Sequence, residues 1–106
     1  MALVACAYYC AYNCDMEIVW DPKKAAVNSG NHGGVTFEEA TPVLFDPYAL
    51  THEDRDARGE RRFVTLGLGG KARLLVVVHT FRGQTIRIIS AWKANSHQRK
   101  RYEKQF

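Results

Sequence analysis

Cysteine is nearly missing from this 106-residue chain: Cys6, Cys10 and Cys14 are its only thiols, all within the first fourteen residues. The rest of the chain therefore cannot carry a disulfide framework, and a reducing cytoplasm fits best. The four-residue spacing of these cysteines would stack them on one helical face, but it matches neither a CxxC zinc pattern nor a ferredoxin run. No Walker loop, Rossmann fingerprint, HExxH or GxSxG is present, and no residues have the spacing of a metal site. An enzyme built on this chain is expected to work without metal or cofactor, by proton transfer and charge stabilisation from Arg, Lys and His. Apolar runs long enough to span a bilayer are also missing. The opening MALVACAYYCAYNCD has no basic n-region and no clear cleavage site, so it reads poorly as a signal peptide, and no membrane association is expected.

Acid is scarce in one half of the chain only. The first 54 residues carry two lysines against eight acids, and the remaining 52 carry thirteen Lys and Arg against Asp56, Glu60 and Glu103. A basic half of that density attracts polyanions and gives salt-dependent binding, RNA or DNA first among them.

Length and a 46% hydrophobic content allow one small core, hence one α+β unit. Met16 opens a strand at once (MEIVWD), which places the domain at residues 16–106 and makes 1–15 an N-terminal extension from an upstream start; an extra apolar strand or helix added to the core is the alternative. Glu17 to Trp20 reads as a strand. Asp21-Pro22 opens a helix that should stop near Ser29-Gly30-Asn31, and Thr36-x-x-Glu39 is a capping box for a second helix from about Phe37 to Phe45. Strands follow at Ala49–Glu53, Arg62–Leu68, Arg73–Thr80 and Thr85–Trp92, joined by glycine-bearing turns that favour an antiparallel meander. The polar stretch Asp54–Glu60 is a loop, and a basic helix capped by Asn95 and Gln98 closes the chain.

Strict alternation on Thr85–Ala91 puts Ile86, Ile88 and Ser90 on one face and Arg87, Ile89 and Ala91 on the other. An arginine in so apolar a strand needs a polar or anionic partner, either a carboxylate such as Glu60 or a phosphate. Arg62, Arg73 and Arg82 stand at strand heads or turns, where neighbouring strands would gather them into a phosphate-gripping face. His32 lies at a glycine-rich joint where an imidazole can exchange protons near neutral pH, whereas His79 shares a strand face with Leu75 and Val77 and reads as a packing residue.

Together these residues resemble the BrnT family of type II toxin–antitoxin systems, small ribonuclease toxins related in fold to the RelE toxins. The resemblance covers Met16 to Glu103 and rests on Trp20-Asp21-Pro22, Asn28, His32-Gly33, Phe37-Glu38-Glu39-Ala40, Arg62-Phe63, Leu75 to Thr80 (LVVVHT) and Arg87-Ile88-Ile89-Ser90-Ala91 ahead of a basic helix. It implies a RelE-like α+β fold, with an N-terminal strand and two short helices packed on an antiparallel meander. It implies metal-independent RNA cleavage that inhibits translation. It also implies a cytoplasmic hetero-oligomer with a cognate BrnA-like ribbon-helix-helix antitoxin, which itself binds operator DNA. Carried over residue by residue, proton transfer falls to His32 and Lys93, and the scissile phosphate to Arg62 and Arg87. RNA-backbone contacts fall to Arg73, Arg82, Arg99 and Lys100.

The sequence departs from the family pattern at Asn31, where a Lys usually precedes His-Gly, at Phe81 and Gln98, where acids are common, and at Trp92, where an Arg usually follows; Gly34 is extra. Lost cations at two of these positions admit a second reading, a catalytically weak or inactive homologue that binds its antitoxin or nucleic acid. Trp92 would be compatible with stacking on a base. A DNA-binding regulator acting alone fits less well, since no helix-turn-helix or ribbon-helix-helix pattern is present.

Overall fold

The computed structural model describes residues 4–6, 17–31 and 33–106. Six strands form one sheet: β1 (Val4–Cys6), β2 (Glu17–Trp20), β3 (Leu50–Asp54), β4 (Arg62–Leu68), β5 (Leu74–Arg82) and β6 (Thr85–Lys93), in spatial order β1-β2-β6-β5-β4-β3. Helices α1 (Pro22–Asn31), α2 (Phe37–Ala40) and α3 (Ser96–Glu103) pack on it, with a 3-10 turn at Thr41–Phe45. Strands β3 to β6 form the expected antiparallel meander. The β5–β6 turn is the two residues Gly83-Gln84, with Gly83 at φ 61, the left-handed entry that such a tight hairpin asks of its first position.

The opening strand lies inside the sheet. β2 runs parallel to β6, from Glu17↔Thr85 to Trp20↔Ile88, so the sheet is mixed. By its backbone β1 pairs antiparallel with β2, Val4 opposite Trp20, so the segment before Met16 contributes an edge strand. Cys10 and Cys14 lie outside the described residues, as does His32, and no group of metal-ligating side chains occurs among the described ones.

Asp21 caps α1 through Oδ1, which accepts from Lys23 N at 2.9 Å. The helix ends where Gly33 (φ 64) and Gly34 (φ 79) turn left-handed and Gly34 N–H returns to the Ser29 carbonyl at 3.0 Å. The second helix is shorter than the capping box suggested. Thr36 caps it, Oγ1 accepting from Glu39 N, while the Glu39 carboxylate turns to Arg73 instead of closing the box; α-helix stops at Ala40 and a 3-10 turn carries the chain to Phe45. Pro42 is the reason: it has no N–H for the Glu38 carbonyl, and the α-helical ladder fails there.

Each face of the sheet carries its own core. On one, Ile18, Trp20, Leu75, Val77, Ile86, Ile88 and Ala91 pack against Val35, Phe37, Ala40 and Val43. Trp20 meets Phe37 edge-to-face at 6.0 Å, and fully burying Phe37 contributes roughly 2–3 kcal/mol. On the other, Leu66, Leu74 and Val76 lie against Tyr102 of α3, with Trp92 and Ala94 alongside. Helix α3 begins with the reciprocal Asn95–Gln98 box and is anchored where Tyr102 Oη donates to Asp46 Oδ2 at 2.6 Å.

Strict alternation fails in the middle of β6. Val78 pairs with Ser90 and His79 with Ile88, which leaves Ile89 as the extra residue of a β-bulge. Past the bulge the facing inverts, so Ala91 joins Ile86 and Ile88 in the first core rather than sharing a face with Arg87.

Candidate functional site

At one end of the sheet, opposite the core under α2, the strands bring cations into a row. The pairs Val19↔Arg87 and Thr80↔Arg87 are in register, and Phe63↔His79 sets Arg62 beside Thr80 on the next strand. Two strand spacings separate Arg62 from Arg87, about 10 Å at the backbone, with Thr80 between them. The Thr80 hydroxyl is occupied, donating to the Arg61 carbonyl at 2.6 Å.

Arg87 is 6% exposed, and Arg62 is half-buried with its Nε shielded from solvent and without a hydrogen-bond partner. Their compensating carboxylate is Glu60, at the end of the polar loop. Arg82 binds it directly, Nε to Oε2 at 2.9 Å, and holds its carboxyl below the usual range; Arg87 and Arg62 add to that pull. Glu60 is thus an ionised carboxylate among three guanidiniums. Among acids of the chain it was legible only as a candidate partner for Arg87, because pattern places strands but does not say where a loop returns.

The other anticipated residues are dispersed. Lys93 ends β6 opposite Leu75, on the side of the first core, and its charge acts on Glu39. Six residues of strand, about 20 Å, separate it from Arg87, so the two cannot touch one phosphate. Arg73 is committed to Glu39: Nε meets Oε2 at 2.6 Å and Nη2 the other oxygen, while the Glu39 side chain is 1% exposed. Arg82 is held by Glu60, whereas Arg99 and Lys100 are exposed on α3. Trp92 is half-buried beside the second core. His32 lies outside the described residues.

A second cationic feature adjoins Asn31. β2 stops at Trp20↔Ile88, and beyond it the side chain of Asn28 replaces a strand for β6: Oδ1 accepts from Ala91 N (3.0 Å) and Ser90 Oγ (3.1 Å), and Nδ2 donates to the carbonyls of Ala91 (2.8 Å) and Val35 (3.1 Å). Between α1 and the bulge this leaves a cleft of about 290 Å³, edged by Lys23, Lys24, Asn31 and Ser90 over Val27 and Ile89. The two lysines were not singled out from sequence, since an exposed pair in a helix's first turn looks like an ordinary solvated face.

A small α+β domain with guanidiniums gathered at one sheet end, a lysine-edged cleft and a basic helix is built to hold a polyanion. The family model described as "Ribonuclease toxin, BrnT, of type II toxin-antitoxin system" matches residues 20–98, and the chain belongs to that family. It is a ribonuclease toxin of a type II system, which entails a cognate antitoxin. The 1.1 Å crystal structure of the Brucella abortus ribonuclease toxin BrnT has a similar fold, with a TM-score of 0.57 at 20% identity, over 73% of this chain and 94% of that one. No curated protein matches the sequence. Among the described residues no helix is long and apolar enough to cross a membrane.

Proposed function

We propose that the chain is a metal-independent endoribonuclease whose centre is the arginine cluster around Glu60, and that it inhibits translation by cutting RNA in the cytoplasm. The observation that carries this reading is the unpartnered Nε of Arg62 within a row that also holds Arg87, a donor with no protein acceptor beside a second guanidinium. A phosphate oxygen supplies the acceptor. In the reaction a 2′-hydroxyl attacks the adjacent phosphorus, the O2′–P bond forms, and the P–O5′ bond breaks. Glu60, kept ionised by Arg82, takes the proton from the 2′-hydroxyl, and Arg62 and Arg87 stabilise the charge that grows on the phosphoryl oxygens. His32 returns a proton to the leaving 5′-oxygen, a role that rests on the family resemblance of His32-Gly33. Lys93 takes no part in this step. Arg99, Lys100 and the lysines of the α1 cleft hold flanking phosphates, and Arg73 serves the fold.

The antitoxin is a BrnA-like ribbon-helix-helix protein that binds operator DNA and forms a hetero-oligomer with this chain. Purified full-length chain should cut single-stranded RNA in excess chelator, leaving 2′,3′-cyclic phosphate ends. Arg62→Gln should lower kcat by about 10²–10³, the usual loss for one transition-state donor. Cleavage that needs a divalent ion, or an Arg62→Gln variant as fast as the parent, would contradict the proposal.

A further inference from the structure

On the other face of the same sheet end lies a larger cleft, of about 500 Å³. One wall is Leu44 and Phe45 of the 3-10 turn; the floor is Thr51, Thr65 and His79 of three adjacent strands; Phe81, 49% exposed, stands at the rim. That volume is in the range of small-ligand sites. The floor carries a continuous polar chain: Thr51 Oγ1 to Thr65 Oγ1 at 2.8 Å, and Thr65 Oγ1 to His79 Nε2 at 2.8 Å. His79 is 3% exposed, and its Nδ1 is buried with no partner.

That orphan nitrogen sets the direction of the chain. A buried N–H without an acceptor is the rarer and costlier arrangement, so Nδ1 is the bare acceptor and the proton sits on Nε2. Nε2–H then donates to Thr65, Thr65 donates to Thr51, and the Thr51 hydroxyl is left with its own hydrogen for the exposed end of the cleft. Burial pushes the His79 imidazole down to about 4, so it is neutral and this direction persists at physiological pH.

The cleft therefore offers one hydroxyl donor, apolar walls and aromatic edges. It also contains Asp46, whose carboxylate accepts from Tyr102 Oη, Leu68 N and Tyr48 N. That negative charge disfavours an anion inside. Phe81 also borders a neighbouring hollow formed with Glu60, Arg61, Phe63 and Thr80, so one ring separates the cleft from Glu60, the carboxylate on which the arginines act. A neutral planar group in the cleft with its phosphate among the arginines is a nucleotide with its base splayed out.

We propose that this cleft receives one base of single-stranded RNA, with Thr51 donating to a carbonyl oxygen or ring nitrogen of the base and Phe81 flanking it. The proposal deepens the ribonuclease reading and rests on it for the identity of the strand. Tetradeoxynucleotides of one base each lack the 2′-hydroxyl needed for cleavage, so binding is read apart from activity. Titrated into the ¹⁵N-labelled full chain, one of the four should bind about fivefold or more tightly than the others, the effect of one good hydrogen bond, and shift the amides of Thr51, Thr65, His79 and Phe81. Thr51→Val should remove that preference, and Phe81→Ala should weaken all four. Equal binding of the four bases, preference unchanged in Thr51→Val, or shifts confined to the neighbours of Arg62 and Arg82 would overturn it. RNA cleavage with unselective binding sinks the base site alone, and selective binding by a chain that cuts no RNA sinks only the ribonuclease reading.

Discussion

At the scale of single residues, the buried polar groups state most clearly what each side chain is for. His79 packs against Phe63 and Phe81, at 6.1 and 5.4 Å between ring centroids, and its burial keeps it neutral down to about pH 4. In the unfolded chain an imidazole binds a proton below about pH 6.5. Between those values the unfolded state holds more protons, so His79 costs the fold stability as pH falls from 6.5 towards 4 and nothing above 6.5. The loss at pH 5 relative to pH 7 should be about 2 kcal/mol from this residue. Urea unfolding at the two pH values should show it in the parent and lose it in His79→Leu; equal pH dependence in both would contradict the assignment. Strand alternation made His79 legible as a packing residue, and that is how it lies. Its link to Thr51 was not legible, because that depends on the register of three strands. Asn28 shows the same limit: it was visible as a motif position, yet its four hydrogen bonds to backbone and Ser90 arise only because β2 stops short.

Among elements, the meander and its turns were readable because period-two apolar runs separated by glycine leave few alternatives. What escaped was decided by pairing. Parallel docking of β2 on β6 joins residues nearly seventy positions apart in sequence, and the bulge at Ile89 shows only in the register of β6 on β5. The single helix expected over Phe37–Phe45 gave way at Pro42, a residue whose effect could have been weighed from sequence. The Glu39–Arg73 pair ties α2 to the start of β5 and sets a test for the division between folding and binding cations. Arg73→Ala removes the two hydrogen bonds that hold the buried Glu39 carboxylate, leaving only the more distant charges of Lys71 and Lys93, and should lower the unfolding temperature. Thermal unfolding measures that loss. RNA affinity of the folded variant should match that of the parent, and a drop like that of Arg62→Gln would return Arg73 to the RNA-binding set.

For the whole molecule, charge asymmetry was legible at once and survives in the fold: the basic half supplies the arginine row and α3. Family membership accounts for the ribonuclease assignment, and the geometry regroups the cations that the family resemblance divided between catalysis and RNA binding. Arg62, Arg82 and Arg87 act on Glu60, whereas Arg73 and Lys93 act on Glu39. The most direct measurement is growth after tightly controlled induction of the full chain, with total RNA followed over time, beside Arg62→Gln and beside co-expression of the cognate antitoxin. Rapid arrest with RNA breakdown, abolished by Arg62→Gln and by the antitoxin, is the predicted result. Unimpeded growth with soluble chain and intact RNA, or arrest that persists undiminished in Arg62→Gln, would contradict the arginine cluster as the centre of a ribonuclease toxin.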